Sequence, residues 1–281
     1  MREYCDLHTH SIYSDGTYTP TDLILEAEKS GLSAVALTDH NTIAGVPELL
    51  QAAQGTKVEG VAGVEFSTDY GTTELHLIAL FIQPQYFDQV SDWVSVMGKR
   101  KEESNIRLAE NLQKAGYDVT YEEVVGDTPR GHVNRVHFAA ALMRKGYVSS
   151  IDGAFEKLLA KNGDFYQEPK RLDVFETIGF IRDIGAVSVL AHPFLNFKEK
   201  DLTGFLNRAV PCGLNGMETM YSAYNPQTES LSRTLAKTYG ICESGGSDFH
   251  GGRRPGVALG TGKGNLKIPT EFLQRLKEGA R

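Results

Sequence analysis

The feature that most constrains the fold is a repeated alternation of short apolar runs with longer amphipathic runs. The short apolar runs predict strands, and stretches with helical periodicity separate most of them. The first helical stretch, TYTPTDLILEAEKSG, has a capping box between Thr19 and Asp22, with Pro20 in its first turn, and ends at Gly31. This alternation predicts parallel pairing, in an α/β barrel or a doubly wound sheet. The predicted strands are Tyr4 to His8, SAVALTDH, VEGVAGVEFS, TELHLIALFI, AVSVLAHP, LNGMETM and ICESGGSDFH.

The length and composition suit one large α/β domain. The chain has 281 residues, and a single α/β barrel typically has about 250. Hydrophobic residues make up 41%, enough for a large core. The formal net charge of −7 argues against a duplex-DNA binder, which usually carries a broad basic face. A small anionic substrate remains compatible with this charge if local cations hold it.

Cysteine usage and hydropathy bear on the compartment. The three cysteines are far apart and form no CxxC pair, which is typical of a reducing environment. The N-terminus turns polar at Asp6 and His8, unlike a signal peptide. Apolar runs stay below the roughly 18 residues that a membrane span needs. We therefore expect a soluble cytoplasmic protein that has no membrane partner.

Residues 84 to about 170 interrupt the alternation and have mostly helical patterns. We expect residues 1–98 and 171–281 to form the barrel, and residues 99–170 to form an inserted helical cap subdomain. Residues 97–171 contain 13 Lys/Arg and 11 Asp/Glu, a net of +2, whereas the remainder contains 16 and 25, a net of −9. Two interpretations stay open: chance scatter of surface charge, or a mildly basic cap that faces an anionic ligand.

Histidines and carboxylates gather where the predicted strands end. In a parallel barrel these ends meet at one rim, so residues distant in sequence can converge. His8 and His10 are two residues apart and should point the same way, as should Asp248 and His250. Imidazole and carboxylate groups suit divalent Zn, Mn or Fe, and a cation offsets the repulsion between carboxylates. The predicted rim residues are His8, His10, His40, His76, His192, His250, Asp15, Asp39, Glu65 and Asp248.

The order of these motifs resembles the PHP (polymerase and histidinol phosphatase) family of metal-dependent phosphoesterases. The motifs are DLHTHSIYSDGTYTP, ALTDHNTIAG, GVEFS, ELHLIAL, AHPF and GGSDFHG, and the resemblance covers about 1–83 and 185–262. The helical insertion resembles the subgroup that acts on nucleotide phosphates and short RNA. The resemblance implies a distorted (β/α)7 TIM-like barrel that holds two or three divalent ions of Mn, Fe or Zn.

The resemblance also implies ligand groups and a mechanism. One metal would take His8, His10, Glu65 and Asp248; a second would share Glu65 and take His76 and His192; a third would take Asp15, His40 and His250. A metal-bound hydroxide, with His192, Asp248 and Glu65 as its nearest side chains, would attack phosphorus in line. Asp39 lies outside this ligand pattern, and we expect it either to orient a ligand histidine or to cap a strand end.

Substrate contacts are predicted in the insertion, within PRGHVNRVHFA. The family commonly has Arg-Pro-His at the corresponding place, whereas this chain has Arg135-Val136-His137. We expect Arg135 and His137 to contact a second phosphate, because the Arg fork suits phosphate, and Arg130 is a weaker candidate. The alternative is that Arg135 and His137 simply begin a helix. Arg253 and Arg254, in GGRRPG, are weaker candidates of the same kind as Arg130, and for all three surface solvation is the favoured explanation.

The predicted function is hydrolysis of phosphate from small nucleotides, such as 3′,5′-bisphosphates, or from 5′ ends of short RNA. A P-loop and a GxSxG elbow are both absent from the sequence, which argues against an NTPase or a serine hydrolase. Three alternatives remain: a histidinol-phosphate phosphatase, an amidohydrolase, and a non-catalytic PHP module that senses nucleotide or metal. The oligomeric state is left unassigned.

Overall fold

The computed structural model describes residues 3–127, 133–161 and 163–280, and the chain divides into two compact units. The first unit comprises Met1–Val94 and Leu172–Arg281, and the second comprises Ser95–Arg171. The division falls close to the boundaries expected from the sequence, at residues 98 and 171.

The first unit is built on a sheet that curves into a nearly closed barrel. Seven strands are hydrogen-bonded in the order β1-β2-β3-β4-β6-β7-β8, and the short β5 pairs only with β3. The segment after β8 runs beside β1, where Asp248 N donates to His8 O at 2.9 Å. The expected distorted seven-stranded α/β barrel is confirmed. The strands are β1 Cys5–Thr9, β2 Ala34–Leu37, β3 Glu59–Tyr70, β4 Thr73–Leu80, β5 Leu172–Asp173, β6 Val187–Leu190, β7 Gly216–Tyr221 and β8 Cys242–Gly246.

Helices connect most strands. The first begins as the sequence predicts: the Thr19 side chain accepts from Asp22 N, the Asp22 side chain bonds back to the Thr19 backbone, and Gly31 follows the helix with φ of 73°. The helices are α1 Pro20–Lys29, α2 Val46–Ala53, α3 Phe87–Lys114, α4 Tyr121–Gly126, α5 Arg135–Arg144, α6 Ile151–Lys157, α7 Val174–Asp183, α8 Glu199–Cys212, α9 Pro226–Tyr239 and α10 Thr270–Lys277. None of the helices in the described ranges has the length and apolar character that a membrane span requires.

One strand departs from the predicted parallel pairing. β4 runs antiparallel to both β3 and β6. The reason is the connection: Gly71 and Thr72 form a tight turn between β3 and β4, too short for the crossover that a parallel pair needs. His76, predicted at a strand end, is instead the fourth residue of β4 and lies opposite Ser67. Because β4 is reversed, its first half lies at the rim where the parallel strands end.

Each unit has its own apolar core. In the barrel unit, fully or nearly fully buried side chains from the strands, such as Leu7, Ile78 and Val189, pack with Leu273 and Leu276 of α10. In the second unit, the apolar faces of α3, α5 and the segment after α6 form a separate cluster. That cluster includes Leu108, Leu112, Phe138, Leu142 and Leu159. The described part of the second unit thus consists mainly of helices that enclose a core of their own.

A buried carboxylate ties β1 to the segments that close the barrel. Asp6 is fully buried and accepts hydrogen bonds from Ser247 N at 2.9 Å, Ser247 Oγ at 2.5 Å and Gly260 N at 2.8 Å. These contacts pair the carboxylate with two backbone N–H groups and one hydroxyl, which is what makes a buried carboxylate tolerable. Asp6 therefore supports the register that places His8 beside β8.

We predict that Asp6→Ala lowers the free energy of unfolding by about 3 kcal/mol, because it leaves several buried donors without an acceptor. Chemical denaturation of the purified protein measures this. The control is Asp201→Ala, an exposed position in the first turn of α8, where we expect a change below about 1 kcal/mol. Equal stability of the two variants would contradict the role assigned to Asp6.

Candidate metal centre

The nine predicted ligands converge at one rim of the barrel. They reach it from different elements: strands β1, β3 and β4, and the segments that follow β1, β2, β6 and β8. Most of them are buried, and Asp15 is the most exposed, at 49% of its side chain. The converging residues are His8, His10, Asp15, His40, Glu65, His76, His192, Asp248 and His250.

Four of these side chains surround one point. The Nε2 atoms of His8 and His10 lie 3.1 Å apart, as expected from two residues on the same face of β1. Glu65 Oε2 lies 3.3 Å from His8 Nε2 and 3.4 Å from His10 Nε2. Asp248 Oδ1 lies 3.5 Å and 3.1 Å from the same two nitrogens. Two nitrogens and two carboxylate oxygens thus face one another in a buried space.

The carboxylate of Glu65 is shared with a second group. Its Oε1 lies 2.9 Å from His76 Nδ1 and 3.1 Å from His192 Nε2. Its Oε2, which faces the first group, is also 3.0 Å from His40 Nδ1. Glu65 therefore occupies the centre of the cluster, with histidine nitrogens around both of its oxygens.

Asp15 is the centre of a third group. Its Oδ1 lies 3.2 Å from His250 Nε2 and 4.0 Å from His40 Nε2. His10 Nδ1 lies 3.8 Å from the same oxygen, and the rings of His10 and His250 stack with centroids 4.1 Å apart. The His10 ring consequently faces two groups, a connection that the sequence did not predict.

The donor atoms fit divalent cations. Among the described residues, several buried atoms of the cluster have no hydrogen-bond partner, and each such atom costs about 1–3 kcal/mol if it stays unsatisfied. Coordination would satisfy them, and imidazole nitrogen with carboxylate oxygen is the donor set that Zn, Mn and Fe accept. These atoms are His10 Nδ1, His40 Nδ1, Glu65 Oε2, His192 Nδ1 and His250 Nε2.

Burial and neighbouring charges shift the pKa values of the cluster in different directions, so that some of its histidines are neutral and others protonated. Burial lowers the pKa of His10 to about 4. Burial also acts to lower the pKa of His76, but the adjacent Glu65 and Glu74 outweigh it and raise that pKa to about 10. Burial acts to raise the pKa of Glu65, yet His8, His76 and His40 hold it well below its usual range. Without metal, the carboxylates are thus balanced by protonated histidines.

We predict that metal binding releases protons at neutral pH and that affinity rises with pH. His76, with a pKa of about 10, is protonated at pH 7 in the metal-free protein, and it must lose this proton to coordinate. As the pH falls, protons compete more strongly and the apparent affinity decreases. Calorimetric titration of Mn²⁺ in buffers of different ionisation enthalpy counts the protons. Heats that do not depend on the buffer would contradict this prediction.

A buried glutamate that the sequence analysis missed orients two of the histidines. Glu218, fully buried in β7, lies 3.0 Å from His8 Nδ1 through Oε1 and accepts from His192 N at 2.6 Å through Oε2. Donation of the Nδ1 proton to Glu218 leaves His8 Nε2 free to coordinate. The signal available in the sequence was a carboxylate inside LNGMETM, a segment predicted to be a strand of the barrel.

We predict that Glu218→Gln weakens metal affinity by about 10- to 100-fold, because the amide no longer supplies the charge that makes His8 a strong ligand. Competition with a chromophoric chelator measures the affinity. Glu243→Gln is the matched control, since this glutamate on the adjacent β8 bonds Thr219 and Arg233 instead. Equal losses in both variants would show that the effect is not specific to Glu218.

Two roles were expected for Asp39, and its hydrogen bonds favour the cap at a strand end. It accepts from Ser11 N at 2.7 Å, Ser11 Oγ at 2.6 Å and Ser14 Oγ at 2.5 Å, all in the segment just after β1. Orientation of a ligand histidine by Asp39 is not among the hydrogen bonds between described residues. Asp39 instead fixes the loop after β1, which carries Asp15.

Two predicted ligands have unusual backbone conformations. His192 has a φ of 29° and Asp248 a φ of 58°, in the left-handed region that non-glycine residues rarely occupy. Hydrogen bonds hold both: His192 N donates to Glu218, and Asp248 N donates to His8 O. Gly246, just before Asp248, is equally constrained, because a Cβ there would lie 2.1 Å from the Cβ of His8. Strained backbone conformations that neighbouring residues hold in place are typical of functional positions.

The cluster opens into a cavity of about 590 Å³. On one wall, Asp248 Oδ2 accepts from Tyr221 Oη at 2.8 Å and from Arg254 Nη1. Tyr221 is therefore tied to the site and does not serve core packing alone. The cavity is lined by His40, Glu65, Thr72, Thr73, Glu74, His76, His192, Leu195, Asn196, Tyr221, Asp248 and Arg254.

The predicted substrate contacts lie in the second unit. Arg135 begins α5, donates from Nη1 to Leu159 O at 2.8 Å, and places its guanidinium 4.5 Å from the ring centre of Tyr166. His137 Nδ1 accepts from Asn134 N at 3.0 Å and completes a capping box. The helix start that was considered as an alternative is thus present, and contact with a second phosphate stays a prediction. Arg130 lies outside the described residues.

Comparison with known proteins identifies the family. The PHP domain model matches residues 6–171, more than half of the chain. The chain therefore belongs to the PHP domain family, and the resemblance seen in its motifs is confirmed.

Relatives and a solved structure extend the comparison. A 5′-3′ exoribonuclease of Haemophilus influenzae is 29% identical over 253 residues, which cover 89% of this chain and 91% of that protein. A 3′,5′-nucleoside bisphosphate phosphatase of Chromobacterium violaceum is 28% identical over 261 residues, or 89% and 90% of the two chains. A structure described as a metal-dependent phosphoesterase of Bifidobacterium adolescentis matches with a TM-score of 0.72 and 24% identity, covering 99% and 96%, and supports the fold.

Proposed function

We propose that this protein is a metal-dependent phosphoesterase that removes phosphate from small nucleotides, such as 3′,5′-bisphosphates, or from 5′ ends of short RNA. The observation that carries the proposal is the largely buried cluster of nine imidazole and carboxylate side chains, five of which line the cavity. Relatives that align along most of both chains are named for nucleotide and RNA substrates of this kind. A small phosphorylated substrate is therefore the partner that we propose.

We propose that the cluster holds two or three ions of Mn, Fe or Zn. Bound divalent ions would lower the pKa of a coordinated water and neutralise charge on the phosphate oxygens. His8, His10, Glu65 and Asp248 would hold one ion, since their donor atoms already face one another. Glu65, His76 and His192 would hold a second. Asp15, His40 and His250 would hold a third, with His10 Nδ1 adjacent to it.

The protein's own groups have distinct tasks in this proposal. Glu65 joins two ligand groups through its two oxygens and so fixes the spacing between them. His192, Asp248 and Glu65 line the cavity, and we propose them as the side chains that would lie nearest to the hydroxide that attacks phosphorus. His10, with a pKa of about 4, is neutral at pH 7 and ready to coordinate.

The proposal also includes residues that would bind a second phosphate of the substrate, apart from the one that reacts. We retain Arg135 and His137 as candidates for a second phosphate, and Arg130 as a weaker one. The supporting observations are that Arg suits phosphate and that one relative, aligned along most of both chains, is named for a doubly phosphorylated nucleoside. The contacts that Arg135 makes to Leu159 and Tyr166 favour a purely structural role. Arg135→Lys, assayed on singly and doubly phosphorylated substrates, separates the two roles.

The test uses the full chain loaded with Mn, Fe or Zn in turn. We expect phosphate release from adenosine 3′,5′-bisphosphate or from a 5′-phosphorylated RNA trinucleotide. Chelation should abolish this activity, and return of the metal should restore it. His8→Ala should lower kcat/KM by at least about 100-fold, because it removes a ligand from the first group. Histidinol phosphate, assayed in parallel, tests the alternative substrate.

Metal content per chain, measured on the same samples, completes the test. His8→Ala and Asp15→Ala should each lose a different ion, so that the double variant loses both. Turnover of none of these phosphoesters by a sample with two or more ions per chain would overturn the proposal. One tight ion without turnover would instead indicate a sensing module.

A further inference from the structure

Arg254 occupies a special place on the wall of the cavity. The Asp248 carboxylate divides its oxygens: Oδ1 faces the nitrogens of His8 and His10, and Oδ2 accepts from Tyr221 and Arg254. Asp248 is nearly buried, with 5% of its side chain exposed, whereas 45% of the Arg254 side chain is exposed. Arg254 thus connects a buried ligand group to the open cavity.

The guanidinium has donors to spare. An Arg side chain carries five N–H donors in a planar fork, and Asp248 engages Nη1. The remaining donors belong to a side chain that lines the cavity. A fork of this kind matches two oxygens of one phosphate group better than a point charge does.

The charges around the cavity also favour a contact between Arg254 and a phosphate group. Among its described lining residues, Arg254 is the one Lys or Arg, while Glu65, Glu74 and Asp248 are acidic. A phosphate ester that enters carries negative charge on several non-bridging oxygens. The permanent cation adjacent to the ligand cluster is therefore the natural protein partner for those oxygens.

The loop that carries Arg254 is held in place. Gly252 N donates to Thr17 Oγ1 at 2.8 Å, and Arg254 N donates to Gly251 O at 3.1 Å. Gly251 has a φ of 61°, and a Cβ there would lie 2.2 Å from Thr17 Oγ1. The guanidinium is therefore positioned by a fixed loop, whereas its neighbour Arg253 does not contribute to the described cavity lining.

We propose that Arg254 binds the non-bridging oxygens of the phosphate that reacts at the cluster, while it also holds Asp248. This inference rests on the proposed phosphoesterase function and adds a specific phosphate-contacting residue to it. It favours phosphate contact, the weaker of the two interpretations of Arg254 from the sequence, over surface solvation.

The test measures binding of inorganic phosphate to the metal-loaded protein by calorimetry. We expect Arg254→Gln to weaken phosphate affinity at least about 10-fold, with metal content unchanged, and to lower kcat/KM by about 100-fold. Arg254→Lys should recover part of the binding, since it restores charge without the fork. The matched control is Arg253→Gln, which changes the same residue type one position earlier and should bind phosphate as the unaltered protein does.

A second variant separates phosphate contact from positioning of Asp248. Tyr221→Phe removes the other hydrogen bond to the same Oδ2, and the contact of the Tyr221 hydroxyl with Arg254, but it removes no cation. If Arg254 only positioned Asp248, both variants would weaken phosphate binding equally, or Arg254→Gln would lose metal; either result overturns the inference. Unchanged phosphate affinity in Arg254→Gln would overturn it as well. Phosphate binding is measured without turnover. A failure of this inference can therefore be distinguished from a failure of the proposed phosphoesterase reaction.

Discussion

The buried charge of Glu65 is the constraint on which the site depends. An isolated carboxylate at 0% exposure would be prohibitively costly, so it requires cationic or metal partners on every side. Histidine nitrogens from five positions lie within 3.4 Å of its oxygens, and they come from four strands or the loops after them. The barrel must bring these segments together to keep Glu65 buried, so fold and site stabilise one another. The five are His8, His10, His40, His76 and His192.

The antiparallel direction of β4 explains why the sequence analysis placed His76 correctly at the rim but predicted the wrong direction for its strand. His76 belongs to the rim because β4 is antiparallel, whereas the alternation of strands and helices predicted a parallel strand ending there. The missing helix between β3 and β4 and the glycine at position 71 were visible in the sequence. The apolar periodicity of VEGVAGVEFS and TELHLIALFI, however, is the same for both strand directions, so periodicity alone was insufficient.

The barrel and its rim were largely predictable because they follow from local patterns. Strands, the α1 capping box, and the pairing of His8 with His10 depend on residues a few positions apart. Asp6, Glu218 and Arg254 were missed or undervalued because their places depend on long-range contacts: Asp6 meets Ser247 and Glu218 meets His8. Arg254 meets the nearby Asp248, but closure of the barrel is what brings Asp248 to β1. A lone carboxylate in an apolar run does not reveal which strand it will face.

The two strained residues link closure of the barrel to the chemistry of the site. Asp248 adopts its left-handed backbone where the segment after β8 meets β1, and there Gly246 leaves no room for a side chain against His8. His192 adopts a similar conformation where Glu218 captures its backbone N–H. Such conformations cost about 1–3 kcal/mol each and persist only when neighbours enforce them. Because those neighbours also position metal ligands, a change that relaxes the strain would also move the donor atoms, so stability and metal geometry cannot be separated at this rim.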